Sequence, residues 1–281
     1  MANVIKLRKG LDVNLKGKAA KEEFQVKKPA VYALVPDDFT GMKPKVVVKE
    51  NDVVKVGDSL FVDKNHPEIK FVSPVSGRVT MVERGDRRKV LSVRVEADAE
   101  QQYVDFGKKN VGQMTAQEVK DLLLESGLFG FFRQRPYDVT ANPSDTPKAI
   151  FVSAFNSMPL AADFEYVLRG READFQAGLD ALAKMAKTYL GVSSKQTATA
   201  LTAAKNVEIN FFDGPAPAGN VGVQINHISP INKGEVVWTL GAEEVIFIGH
   251  LLNTGRLDFT RVIAFAGSCL LYTSDAADDR I

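Results

Sequence analysis

The chain has one cysteine, three histidines and a net charge of only +1 in 281 residues, and each scarcity excludes something. A lone cysteine cannot close an internal disulfide, and three scattered histidines cannot supply a clustered metal site. Both facts fit a reducing cytoplasm. A near-zero charge balance gives no electrostatic case for nucleic acid, whose binding surfaces normally show as a large basic excess. Long apolar runs are also missing. The longest, residues 245–252, is interrupted by Gly249 and His250, whereas a bilayer span takes roughly 20 predominantly apolar residues. Residues 1–10 lack the apolar core of a signal peptide. Neither G-x-G-x-x-G nor G-x-x-x-x-G-K-[ST] occurs anywhere. What is present, 45% hydrophobic and 25% charged residues, is the composition of a folded globular protein large enough for one big domain or two ordinary ones.

The hydrophobic period changes near residue 100. Residues 1–29 read as an N-terminal arm, locally basic through Lys6, Arg8, Lys9, Lys16, Lys18, Lys21, Lys27 and Lys28. Such an arm is either solvated or docked on an anionic lipid or an acidic protein surface. Residues 30–98 carry short β-branched runs separated by turn signals such as Gly57-Asp58, Ser73-Pro74 and Ser76-Gly77, the pattern of a small barrel or sandwich. Residues 99–268 alternate strands and helices, which argues for an α/β domain with a largely parallel sheet. Thr115-Ala116-Gln117-Glu118 forms a capping box, followed by Val119, Leu122 and Leu123 on one helical face and Gly127 as a left-handed stop. Strands are expected over 149–154, 207–212, 236–240 and 261–266. Helices are expected over 171–190, with Phe175, Leu179, Leu182, Ala186 and Leu190 on one stripe, and over 243–252, where Glu243 and Glu244 cap the start. His66, His227 and His250 read as turn, loop and helix-face residues.

Val53 to Leu60, Asp63-Lys64 and Ser73 to Val79 together resemble biotinyl/lipoyl carrier domains, in which a lysine at a hairpin tip bears the swinging cofactor. Lys64 is the candidate, but the segment from Lys64 to Ser73 is longer than in carriers and Pro67 interrupts it. Further on, Ser126-Gly127-Leu128-Phe129-Gly130-Phe131-Phe132-Arg133 resembles the flavin-binding loop of the nucleotide-binding subunit of respiratory complex I. In that loop a dense glycine run lets backbone amides approach the flavin phosphate. Here Phe131 and Phe132 stand where glycines are needed. The glycines of Gly214 to Gly222 have the wrong spacing, and Pro215 and Pro217 remove donors.

The chain as a whole resembles one family, the A subunit of the bacterial Na+-translocating NADH:quinone reductases. The likeness is carried by Lys9-Gly10-Leu11-Asp12, the specific string Val62 to Phe71, Pro74-Val75-Ser76-Gly77, Arg135-Pro136 and Ile150 to Ala154. Pro159 to Asp163, Gly214-Pro215, Pro217-Ala218-Gly219, Val237-Trp238-Thr239 and Val245-Ile246 continue it. The resemblance implies a barrel-sandwich (biotinyl/lipoyl-like) domain followed by a Rossmann-like α/β domain related to the complex I flavin subunit. It also implies a peripheral, cofactor-free subunit on the cytoplasmic side of the bacterial inner membrane. The partners would be the other subunits of a six-subunit complex, especially the quinone-binding membrane subunit, with NADH and the redox centres held elsewhere and ubiquinone as the substrate. If a surface of this chain approaches quinone or that partner, Phe129, Phe131, Phe132, Arg133 and Arg135 are the candidates: flat rings for the quinone, guanidiniums for a carbonyl oxygen. The alternative is that Leu128, Phe131 and Phe132 pack under the sheet while Arg133 and Arg135 cap the carbonyls of the preceding helix. An Rnf-type ferredoxin:NAD oxidoreductase subunit would need flavin glycines and clustered cysteines, and a carrier protein would need Lys64 modified.

The family likeness stops after Ser268. Residues 269–281, beginning Cys269-Leu270-Leu271-Tyr272-Thr273-Ser274-Asp275-Ala276-Ala277, resemble the translation of a transposon-end adapter used in sequencing libraries. On that expectation Cys269 is foreign, residues 1–268 are cysteine-free, and the natural protein continues further.

Overall fold

The computed structural model describes residues 3–13, 21–22 and 26–265; the adapter-like segment 269–281 lies outside them. In chain order the elements are β1 (Asn3–Lys6), β2 (Val31–Leu34), β3 (Pro44–Val46), β4 (Val53–Val54), β5 (Ser59–Asp63), β6 (Lys70–Val72), β7 (Gly77–Arg84) and β8 (Val90–Ala97). There follow α1 (Ala116–Glu125), β9 (Arg133–Arg135), β10 (Val139–Thr140), β11 (Ile150–Ser153), α2 (Phe164–Val167), α3 (Glu172–Met185) and β12 (Thr188–Ser193). Last come α4 (Thr199–Thr202), β13 (Glu208–Asp213), α5 (Val221–Ile228), β14 (Val237–Gly241) and α6 (Ala242–Thr254).

The β-rich part is a barrel-sandwich built from two antiparallel sheets, ordered β2-β8-β7-β4 and β3-β5-β6. Leu60, Phe61, Phe71, Val79, Val93 and Val95 are all buried in this part, Leu60 and Phe61 side by side at the irregularity in the β5–β6 register. The α/β part is one seven-stranded sheet, ordered β1-β13-β12-β11-β14-β9-β10. Its five strands from β1 to β14 are parallel, and β9 and β10 close that edge antiparallel. Strands β11, β12 and β13 advance in one direction and β14 returns to the other side of β11, so the topology switches at the carboxyl ends of β11 and β14.

Local chemistry sets the helices. Thr115 Oγ1 accepts from the Glu118 amide at 3.2 Å, and the Glu118 carboxylate accepts from the Thr115 amide at 2.7 Å, so α1 starts with the expected capping box. Gly127 follows at φ 79°, as expected. α3 buries Phe175, Leu179 and Leu182 against α6. Two glycines let these helices touch backbone to backbone: a Cβ on Gly178 would lie 2.1 Å from the Val245 carbonyl oxygen, and one on Gly249 1.6 Å from that of Asp174.

Three expectations are corrected. Helix α3 ends at Met185, not at residue 190: Ala186 is extended, and Thr188–Ser193 is a central strand. Packing overrides the continuing stripe because β12 is buried on both faces, and β-branched and aromatic residues suit that site. Residues 261–265 form no strand among the described residues, since no ladder partner reaches them; Ala266 lies outside. The start of the chain is not a solvated arm throughout, because Asn3–Lys6 pairs in parallel with β13.

After α6, residues 256–265 fold back over α3 and α6. Arg171 Nη1 donates to the Thr260 carbonyl at 3.2 Å, and Arg261 reaches Glu243 at 2.8 Å. Asp258 anchors this return by accepting from the Thr260 amide at 2.9 Å and hydroxyl at 2.6 Å. Burial pushes the Asp258 carboxyl upward, but the two Thr260 bonds, with His250 and Arg171 nearby, outweigh it and hold the group below the ordinary aspartate value. A carboxyl depressed in the folded state stabilises above its unfolded value and loses that contribution as pH falls through the folded one. Asp258→Ala is therefore expected to cost about 0.5–1 kcal/mol at neutral pH, after discounting for partial solvent access. The gap from the parent in urea denaturation should narrow below about pH 4.

Candidate functional site

The loop that resembles a flavin site is the place where the two halves of the chain meet. Phe39, just after β2, sits 4.4 Å from the Phe71 ring and 6.3 Å from Phe61 inside the barrel. Across the boundary it lies 6.1 Å from Phe131, which in turn lies 6.3 Å from Phe247 of α6 and 6.2 Å from Phe259. One side of the loop thus belongs to an aromatic seam running from the barrel core to α6. The other side supplies Phe129 and Phe132, stacked at 5.3 Å and both edge-on to Trp238. Phe129 and Phe132 have no exposed surface, whereas Phe131 is half-buried.

This packing commits the loop's glycines and three of its amides to the chain itself. The amides of Gly127, Gly130 and Phe132 donate to the carbonyls of Leu124, Gly127 and Phe129, so none of these three is free to form an anion nest. A Cβ on Gly130 would lie 2.8 Å from Phe71 Cε1, and one on Gly127 2.7 Å from Val72 Cγ1. The glycines are there for the neighbouring domain's side chains. The residues present do not fit a flavin at this loop.

The crest of the α/β sheet is likewise filled by the chain itself. At the switch point, α6 begins beside Gly241, where a Cβ would lie 2.0 Å from Glu244 Oε2. Glu244 thus folds over the helix start, the position that suits a bound anion in sheets of this topology. Glu243 and Glu244 occupy the first turn, as expected, and Arg261 pairs with both. Burial, with Glu244 beside it, pushes the Glu243 carboxyl above the ordinary glutamate value despite Arg261. On the other side of β11, the Gly219 amide donates to Ser157 Oγ at 3.0 Å, and buried Gln224 donates to Ser153 Oγ and the Ala218 carbonyl.

Arg133 and Arg135 lie on β9, side by side on the face covered by α5, with Val237 and Thr239 as strand partners. Their Nε atoms are 3.8 and 3.3 Å from Asp138 Oδ1, and about a third of each side chain, 32% and 26%, is exposed. Among the described residues neither is seen to donate to a helix carbonyl; both sit beside Asp138. Intervening Gln134 faces the opposite side and accepts from Trp238 Nε1 at 3.1 Å. The structure thus brings Arg133 and Arg135 together but separates them from Phe129 and Phe132, which are sealed in the core.

Lys64 is exposed, but it stands at the root of the β5–β6 hairpin. Its amide donates to the Lys43 carbonyl at 2.7 Å, and buried Asp63 accepts from the amides of Lys43 and Asn65. The tip is formed by residues 65–68. Among the described residues no three His, Cys, Asp or Glu side chains converge as metal ligands, and no helix is long and apolar enough to cross a membrane. Sequence reasoning missed Phe39 and Arg261. Phe39 carries no local signal, and Arg261 lay in a segment with a strand-like pattern.

Comparison with known proteins gives two matching family models in succession: the NqrA N-terminal barrel-sandwich hybrid domain over residues 5–98, and the NqrA second alpha/beta domain over residues 114–257. The chain is 36% identical over 267 residues to the A subunit of the Na(+)-translocating NADH-quinone reductase of Pseudomonas aeruginosa UCBPP-PA14, covering 94% of this chain and 60% of that one. The equivalent proteins of Yersinia pseudotuberculosis IP 31758 and Serratia proteamaculans 568, which bear the same name, are also 36% identical, over 270 and 269 residues, with the same coverage. The chain therefore spans about 60% of the length of these relatives.

The glycine at the seam provides the direct test of this packing. Gly130→Val is expected to displace Phe71 and cost about 1–3 kcal/mol in urea denaturation, the range for overpacking. An unchanged midpoint would show that the loop does not abut the barrel.

Proposed function

The chain belongs to the NqrA family, and on that basis we propose that it works as a peripheral, cofactor-free subunit of a Na+-translocating NADH:quinone reductase. The observation that carries this reading is the ordered match of both domains together with 36% identity across 94% of the chain. In this reading the complex passes electrons from NADH to ubiquinone and exports Na+. NADH and the redox centres belong to other subunits, and this chain faces the cytoplasm against the quinone-binding membrane subunit.

Two physical features support a scaffold over a redox carrier. The loop resembling a flavin cradle spends three of its amides internally, the Phe131 ring on Phe39, and the Phe129 and Phe132 rings on Trp238. The helix start at the switch point is covered by Glu244 and Arg261. The Lys64 carrier reading is weaker, because Lys64 directly follows β5 and stands at the root of the β5–β6 hairpin instead of its tip.

Within the proposed complex, the part-exposed pair Arg133 and Arg135 is the portion of the aromatic–arginine stretch able to meet quinone or the membrane partner. Their guanidiniums offer donors to a carbonyl oxygen or to a partner's acidic groups. Phe129 and Phe132 would act by holding β9 in place.

Co-purification tests the assembly. The full chain, tagged and expressed with the remaining subunits, should isolate with a membrane complex that reduces quinone with NADH. A soluble, cofactor-loaded enzyme active alone would overturn the reading. In the assembled complex, Arg133→Ala with Arg135→Ala should lower quinone reduction or inhibitor binding by about ten-fold, one to two charge-assisted contacts. Unchanged kinetics would remove the arginines from that role.

A further inference from the structure

A groove of about 1130 Å³ lies along α3, with half-buried Ala177 and Ala183 as its floor. Its walls are residues 108–112, Leu252 and Asn253 at the end of α6, and Asn206. A second hollow of about 410 Å³ shares Ala183 and Asn206 with it and continues to Lys187 and Glu208, so the depression is elongated. The chain's own bonds hold the walls. The Lys109 amide donates to the Leu252 carbonyl at 2.9 Å, Lys184 Nζ to the Gly112 carbonyl at 3.3 Å, and Asn206 Nδ2 to Asp180 Oδ1 at 3.0 Å. Small-molecule sites are mostly apolar and aromatic clefts of about 300–1000 Å³. This groove is open and longer, and no aromatic side chain among the described residues lines it. We propose that it seats an extended, acidic segment of a protein partner.

Charge sets the kind of segment. Lys108, Lys109 and Lys184 line the groove against a single carboxylate, Asp180. These three lysines make no ion pair among the described residues, whereas Lys187 and Glu208 in the adjoining hollow cancel as a pair at 2.9 Å. Carboxylates beyond the lining already have partners: Asp174 has His250 and Asn253, Glu118 has Thr115 in the capping box, and Asp105 has the Gly107 amide. Lys205, whose amide donates to Gln176, adds an exposed cation next to Asn206. A cleft lined mostly by one sign of charge focuses its field on the opposite sign. The backbone disfavours a compact phosphate here. The groove takes in the last turns of α3 and α6, where helix carbonyls place negative partial charge. The amides of Lys109 and Gly112 already donate to Leu252 and Asn110. Separated ammonium groups instead suit carboxylates spaced along a chain. Asn206 and Asn253 donate their side-chain N–H groups to Asp180 and Asp174, which leaves each side-chain oxygen to accept from a main-chain amide.

That the partner is another subunit rests on the reading proposed above, but the preference of the groove is measured on this chain alone. A short fluorescent peptide with glutamate at alternate positions and serine between them carries its carboxylates on one side when extended. It is titrated against the full chain by anisotropy, beside the same peptide with glutamine in place of glutamate. The acidic peptide should bind about ten-fold or more tighter at low salt, and the difference should shrink at high salt. Lys108→Gln, Lys109→Gln and Lys184→Gln together should weaken its binding by about ten-fold or more. Ala177→Trp, which fills the floor without changing charge, should weaken it as much. Lys45→Gln, Lys49→Gln and Lys55→Gln, exposed lysines of the barrel, remove the same charge and should leave binding within about two-fold. Circular dichroism melting checks that each variant folds. No binding, equal binding of the two peptides, or undiminished binding by the folded lysine variant overturns the proposal. Tighter capture of tripolyphosphate or of a single-stranded oligonucleotide overturns it too. Peptide binding by a chain that fails to co-purify with a reductase keeps the groove and removes the complex, and co-purification without peptide binding does the reverse.

Discussion

The rest of the structure depends on the contact between the loop 127–132 and the Phe71 ring. Gly130 has to be a glycine because a Cβ there would be 2.8 Å from the ring. Its neighbour Phe131 continues the ring-to-ring path from Phe39 into α6. Buried aromatic pairs contribute about 0.5–1.5 kcal/mol each beyond the area they remove from water. The Phe39–Phe131 pair links the rings of the barrel-sandwich to those of the α/β part, within one continuous hydrophobic core. A loop committed to that core cannot also open toward a phosphate. The same residues that unite the domains stand where the resembling loop has its glycines.

A parallel substitution occurs at the crest of the sheet. In open α/β sheets the switch point is where ligands usually sit, because helix starts and strand ends leave a crevice. Here Glu244 and Arg261 occupy the start of α6, and the 153–157 and 215–219 loops close over the end of β11. Both positions that a Rossmann-like ancestry would give to a cofactor are filled by the chain's own charged and apolar groups. The arginine pair on β9 stays part-exposed.

Much of this was legible from local sequence. The capping box at Thr115, the stop at Gly127 and the alternating strands of residues 30–98 are short-range patterns, and they form where their chemistry places them. β12 was hidden because Ala186 and Leu190 continue the helical spacing of α3, and a strand buried on both faces shows no alternation. The joining of β1 to β13 could not be read either, since their pairing spans most of the chain and leaves no local mark. At the candidate site, the type of residue was readable but its direction was not. Strand alternation puts Arg133 and Arg135 on one face and Gln134 on the other, and the burial of Phe129 and Phe132 depends on Trp238, far along the chain.

The seam makes the barrel and the α/β sheet one cooperative unit, so differential scanning calorimetry of the full chain should show a single transition whose calorimetric and van't Hoff enthalpies agree. Two resolved transitions, with the barrel melting independently of the sheet, would contradict it.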